Sequence, residues 1–218
     1  MFETQLLSTL EECSSLAEKH NRDLVPHFLS LAGPDAPSKI PRQKLSAWLK
    51  LLSKFTNPNA LRSTDVLRTL YTTLLAHPDR ALQRLALSCV LTYKSPHLVS
   101  HEDTLRTLLD DTKWRDALTL LDFAALDAPS ERAEFVDAVI RLLFGMMLER
   151  RGRNRGADRR AAVLSTLAGC TDAELPLLVD LMLQPIRGER MASEGAFKIV
   201  PVPEDVSEKQ QVGRFWIS

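Results

Sequence analysis

The feature that most constrains this 218-residue chain is a gap: no glycine occurs between Gly33 and Gly145. Hairpin turns rely on residues that accept positive φ, and glycine does so at no steric cost. The long glycine-free stretch therefore suits helices joined by short loops better than β-hairpins. Apolar spacing agrees, because Leu67, Leu70, Tyr71, Leu74 and Leu75 fall at i, i+3, i+4, i+7 and i+8. The same spacing recurs in Leu82, Leu85, Ala86, Cys89 and Val90, and again in Leu175, Leu178, Val179, Met182 and Leu183. Such a stripe marks one apolar face of a helix.

Helix ends are legible too. Ser63 or Thr64 is placed to cap a helix running to about Ala76, Pro78 to open one ending near Tyr93, and Pro129 to open one ending near Leu148. Further helices are expected at 3–19, 23–32, 42–55, 102–110, 113–121, 158–168 and 172–184. The segment "FKIVPVP" alone reads as extended, and its two prolines keep it out of a central sheet ladder.

Residues 79–93 carry a second apolar stripe, Leu87 and Leu91, so this helix is expected to be covered on two sides. A stack of helical pairs provides such cover, since no pair buries its apolar faces alone. Within it, Asp79, Leu82, Gln83 and Ala86 resemble the second helix of a HEAT repeat, with the usual basic residue displaced to Arg84. The expected fold is all-α, a HEAT-like helical-repeat solenoid segment over 1–185 followed by an irregular tail at 186–218 that leads into a truncated helix. A compact α-helical bundle is the alternative, since it shows the same stripes.

Charge is balanced overall, with 28 basic and 28 acidic side chains, so no global field draws the molecule to nucleic acid or membrane. Locally the balance fails. The stretch "ERRGRNRGADRR" at 149–160 is expected to be a loop, and its residues 150–160 contain Arg150, Arg151, Arg153, Arg155, Arg159 and Arg160 against Asp158 alone. Guanidinium groups are planar multidentate donors suited to phosphate oxygens, and Gly152 and Gly156 let backbone approach a strand closely. These six arginines are the candidate RNA-binding residues; a solvated loop is the bland alternative.

Chemistry of other kinds is not announced. Cys13, Cys89 and Cys170 are far apart without metal or disulfide spacing. His97 and His101 sit around Pro96, which argues against a shared helix face, and Asp110 and Asp111 read as a cap between two helices. P-loop, dinucleotide and G-x-S-x-G signatures are missing, so no catalytic residue, metal ligand or cofactor site is expected. Trp48, Trp114, Phe135, Phe144, Met146 and Met147 lie in helical apolar patterns and are expected in the core. The most apolar run, Ala138 to Leu148, is too short to span a bilayer and contains Arg141.

Two longer blocks, "LQRLALSCVLTYKSPHLVSHEDTLRTLLDD" and "LLFGMMLERRGRNRGADRRAAVLSTLAGCTDAELPLLVDLMLQP", resemble the DRIM family, also called the Utp-twenty family. The likeness covers roughly residues 44–184 and rests most on Ala86-Leu87, Thr92-Tyr93-Lys94, Leu108 to Asp111, Gly145, the basic stretch, Ala168-Gly169 and Pro185. The basic stretch is richer in arginine than the family's lysine-glycine mixture, and the segment between Leu121 and Pro129 is short. Residues 209–216, "KQQVGRFW", resemble the entry to the family's next helix, so the chain is expected to be a fragment with neighbouring repeats in a larger parent.

The resemblance implies a non-enzymatic scaffold of the small-subunit processome, located in the nucleolus of the nucleus. Its implied partners are pre-ribosomal RNA and other processome proteins, without membrane or cofactor. A HEAT-type protein adaptor that does not touch RNA is the alternative from another class. An RNA-modifying enzyme is a weaker third reading.

Overall fold

A computed structural model of the chain describes residues 2–34, 36, 40–121, 123, 129–149 and 153–187, without the side chains of residues 2, 153–156 and 184–187. Among the described residues the fold is all-α, with twelve α-helices, a 3-10 turn at Pro58–Ala60 and no β-strand. The helices are α1 (Phe2–Glu12), α2 (Ser14–Lys19), α3 (Asn21–Ala32), α4 (Arg42–Leu52), α5 (Thr64–Leu75), α6 (Arg80–Leu91) and α7 (Pro96–Val99). They continue with α8 (Glu102–Leu108), α9 (Trp114–Thr119), α10 (Pro129–Leu148), α11 (Arg153–Leu167) and α12 (Leu175–Arg187).

The chain divides into two compact units, Met1–Gly169 and Cys170–Ser218. Helix α12 lies in the second unit. In the first unit α1 packs on α4, α4 on α6, and α5 on α6, while α10 meets α5, α6, α7 and α11. This succession of helices packed on near neighbours is that of a helical-repeat-like segment.

The two-sided cover expected of α6 is present. Leu82, Ala86, Cys89 and Val90 are buried on one stripe and Leu87 and Leu91 on the other, with α4, α5, α8 and α10 around them. Its start differs in detail from the sequence reading. Asp79, not Pro78, opens the helix as N-cap, and its Oδ1 accepts from the Ala81 and Leu82 N–H groups at 2.9 and 3.3 Å. The helix ends at Leu91 rather than Tyr93, and Lys94 takes a left-handed φ of 52° in the turn that follows.

Ser63 stands at the N-cap of α5 with a φ of 55° and makes no side-chain capping bond. The Thr64 hydroxyl instead donates to the Pro58 carbonyl at 2.8 Å and meets the Tyr93 hydroxyl at 3.0 Å. One long helix over 3–19 is expected from the sequence, but it is broken at Cys13. On α2, Glu18 accepts N–H bonds from Thr56 and Asn57 beyond the end of α4, the latter at 2.6 Å. Burial pushes the Glu18 carboxyl up, but these backbone donors and the Thr56 hydroxyl pull it net below the usual carboxylate range.

Helix α10 is the core of the first unit. Apolar residues occupy every side of it, and Phe135 to Met147 are buried almost without interruption. Gly145 lets it approach the α5–α6 connection closely. A methyl group built at Gly145 would lie 2.4 Å from Gln83 Nε2 and 2.6 Å from the His77 carbonyl oxygen. Gln83 is 1% exposed, and its amide donates to the Leu75 and Leu142 carbonyls at 2.7 and 3.0 Å. One buried side chain thus satisfies the carbonyls of two packed helices. Trp48, Trp114, Phe135, Phe144, Met146 and Met147 are all buried, as their spacing predicts.

The third stripe turns out differently in α12, where Leu178 and Leu181 are buried and Val179 is exposed. The segment "FKIVPVP" and residues 209–216 lie outside the described residues.

Candidate functional site

The arginine-rich stretch is not a loop throughout. Helix α11 begins at Arg153, ahead of the expected start at 158, so Arg153 and Arg155 lie on the backbone of its first turn. Arginine is a good helix former, and Asn154 and Gly156 do not prevent the helix from extending back through them. Arg150 and Arg151 lie outside the described residues.

Arg159 is turned inward. It is 5% exposed, and its Nη1 pairs with Glu149 Oε2 while its guanidinium lies 4.6 Å from the centre of the Trp114 ring. Among the six candidate arginines, Arg159 is thus a buried and paired side chain. A buried guanidinium needs a carboxylate and a ring face to replace its hydration, and Glu149 and Trp114 supply both. Arg160, one residue on, is half-buried.

Glu149 joins two helices to this cation. The same Oε2 accepts from Arg80 Nη2 at 3.0 Å, and Arg80 Nη1 donates to Asp111 Oδ1 at 2.9 Å. Arg80 is 6% exposed and opens α6, where a cation opposes the helix dipole. The carboxylates of Asp79, Asp111 and Glu149 around this end offset that cost. Arg84, one turn further along α6, donates to the Leu109 carbonyl at 2.6 Å and pairs with Asp111 at 3.4 Å.

The neighbouring surface is also paired. Arg115 binds Asp158 of α11 and places its guanidinium 5.2 Å from the Trp114 ring centre. Beside this pair a hollow of about 590 Å³ opens between α9 and α11, lined by Leu118, Phe123, Ala162 and Gly169 among others.

The acidic pair Asp110 and Asp111 divides its work. Asp110 Oδ1 accepts from the Thr112 hydroxyl and from the Thr112 and Lys113 N–H groups, which caps the entry to α9 and lowers its carboxyl to about 2. Asp111 serves the arginines, a role the sequence reading missed. His97 lies on α7 and His101 precedes α8, so no helix face carries both. His101 meets Glu131 at 3.2 Å and packs its ring on Phe135. Among the described residues no group of histidine, cysteine and carboxylate side chains is arranged to hold a metal ion, and no helix is long and apolar enough to cross a membrane.

Glu149, Arg80, Asp111 and Trp114 are the functional candidates that sequence reasoning passed over. Arg80 and Glu149 are 69 positions apart, so their pairing leaves no trace in local spacing. The only available hint was that Glu149 is the one acid directly before the arginines.

The fold and the site define an all-α, repeat-like segment whose cationic stretch is fastened to the core by the Glu149–Arg159 ion pair. Comparison with known proteins gives the family. The chain belongs to the family described as "U3 small nucleolar RNA-associated protein 20, N-terminal", which matches residues 39–215. It is 30% identical over 196 residues to U3 small nucleolar RNA-associated protein 20 of Schizosaccharomyces pombe, covering 86% of this chain and 8% of that protein. Against the protein of the same name from Saccharomyces cerevisiae, identity is 33% over 125 residues, 56% of this chain and 5% of the relative. The chain thus spans a small part of the length of these relatives.

Proposed function

We propose that this chain is part of a non-enzymatic scaffold of the small-subunit processome. In this reading it works in the nucleolus and supports pre-rRNA processing and small-subunit biogenesis through contacts with pre-ribosomal RNA and processome proteins. Family membership supports the setting, since the relatives are named for association with the U3 small nucleolar RNA. Adjoining repeats of a longer parent chain are the natural neighbours of its helices.

The observation that carries the RNA contact is the local charge: six arginines in residues 150–160 of an otherwise balanced chain. Arg153 and Arg155 stand on the first turn of α11, where the helix dipole is positive and cations are disfavoured unless an anion is near. A phosphate there would meet free helix N–H groups and guanidinium donors together. Arg150, Arg151, Arg153, Arg155 and Arg160 are the proposed phosphate contacts. Arg159, held by Glu149 and Trp114, serves as an anchor. Such contacts position RNA without reading its sequence.

The test replaces the five proposed contacts, Arg150, Arg151, Arg153, Arg155 and Arg160, with serine, leaves the Arg159 anchor in place, and measures single-stranded RNA affinity at low salt, with far-UV circular dichroism as the control. Weaker binding at unchanged helicity is expected, and unchanged affinity would overturn the assignment. A second reading, a protein adaptor without direct RNA contact, draws on the α9–α11 hollow and the exposed Leu120 and Leu164 nearby. Crosslinking separates the two, because an adaptor yields peptide links alone.

A further inference from the structure

Glu149 occupies an unusual place: it ends the core helix α10 and stands directly before the arginine-rich stretch, yet it is only 18% exposed. Its Oε2 accepts from Arg80 at the start of α6 and from Arg159 in the second turn of α11. One carboxylate oxygen therefore bridges three helices. The Arg159 guanidinium is fixed from a second direction by Trp114 at the start of α9. Arg115 of α9 pairs with Asp158 beside it at the exposed surface, so two successive residues of α11 meet α9.

From this geometry we infer that Glu149 is a positioning residue for RNA binding, holding the backbone of the arginine-bearing first turns of α11 in place before a phosphate backbone arrives. The inference rests on the proposed RNA contact. A binding surface fixed in advance loses less conformational freedom on association, and affinity rises accordingly. The role runs against simple charge counting. An acid beside an RNA-binding surface repels phosphate, so on electrostatics alone its removal should tighten binding.

The decisive comparison is Glu149→Gln in the full chain, read by single-stranded RNA affinity across a salt series and by amide hydrogen exchange without RNA. Positioning predicts affinity about tenfold weaker, from the ordering that binding must now supply. The slope of log affinity against log salt stays unchanged, because no phosphate contact has been removed. It also predicts faster exchange in the first turns of α11 while amides of α5 keep their protection. Tighter binding with a slope steeper by about 0.7 to 1.4 would overturn the inference, since it would mean that Arg80 and Arg159 had been released to meet phosphate. Acceleration spread equally through α5 and α11 would overturn it too, as the mark of general loss of structure.

Removing the carboxylate alone leaves buried guanidinium groups short of charge, which threatens folding. The double variant Glu149→Gln with Arg159→Gln removes that excess and is judged by the same exchange pattern. If the unaltered chain binds RNA no better than the five-serine variant, which keeps Arg159, the function reading fails. Exchange alone then decides whether Glu149 holds α11: local acceleration supports it and none refutes it.

Discussion

Replacing Gly145 by alanine tests the packing that brings α10 against the α5–α6 connection. The new methyl group would sit 2.4 Å from the Gln83 amide nitrogen, 2.6 Å from the His77 carbonyl oxygen and 3.0 Å from the Ala76 carbonyl carbon. Two of these atoms are backbone and cannot rotate away. Shifting α10 outward is an overpacking cost of about 1–3 kcal/mol. Turning Gln83 aside leaves its buried amide and the Leu75 and Leu142 carbonyls without their bonds, at about 1–3 kcal/mol more. Alanine regains about 1 kcal/mol of helix propensity over glycine. The balance is a loss of about 1–5 kcal/mol, with a central value of about 3 kcal/mol. Urea unfolding followed by circular dichroism should then show a midpoint lower by about 1–2 M, given slopes of about 1–3 kcal/mol per molar. Adding Gln83→Ala removes one of the three clashes, so the double variant should lose less than the sum of the singles. A midpoint unchanged or raised in Gly145→Ala would refute the reasoning, because propensity alone predicts that result.

Other predictions concern titration, capping and thiol access. Burial lowers the His77 pKa despite the opposing Asp79 carboxylate, and its neutral Nδ1 accepts the Asp79 N–H at 2.9 Å. The stability this contributes is full above the unfolded value of about 6.5 and drains as pH falls through the lower folded value; thermal melts of His77→Asn between pH 7 and 5 should show a flatter pH dependence. Asp110, lowered to about 2 by the Thr112 hydroxyl and then the Thr112 and Lys113 amides, contributes fully above about 3.8 and less as pH falls toward 2. Asp110→Asn should remove that dependence from acid unfolding curves. Asp79→Ala deletes the α6 cap and should cost about 1 kcal/mol in denaturant titrations, the exposed pair with Arg42 adding little. Cys13 is exposed and should react promptly with a thiol reagent, whereas Cys89, buried and donating to the Leu49 carbonyl with its pKa raised by burial, should react only on unfolding.

Much of the fold is legible in the sequence where local chemistry decides it. Pro129 and the dense apolar pattern from Phe135 to Leu148 mark α10 almost to the residue, because both signals act within one helix. The stripes of α5 and α6 announce their buried faces for the same reason. Gly145 is visible as a notable glycine, but its purpose depends on Gln83 and His77, more than sixty positions away. The site shows the same limit. The arginine density is plain in the sequence, but only three-dimensional packing separates Arg159 from its neighbours. Its partners Glu149 and Trp114 read locally as a flanking acid and a core aromatic. Helix α11 starts early because arginine is a good helix former and one glycine costs a helix only about 1 kcal/mol.

The central claim is that arginines of residues 150–160, other than Arg159, meet RNA phosphates. Single-strand affinity of the intact chain over a series of salt concentrations tests it most directly. Five phosphate contacts predict that log affinity falls against log salt with a slope of about −3.5. A slope near zero, or one equal to that of the five-serine variant, would contradict the account.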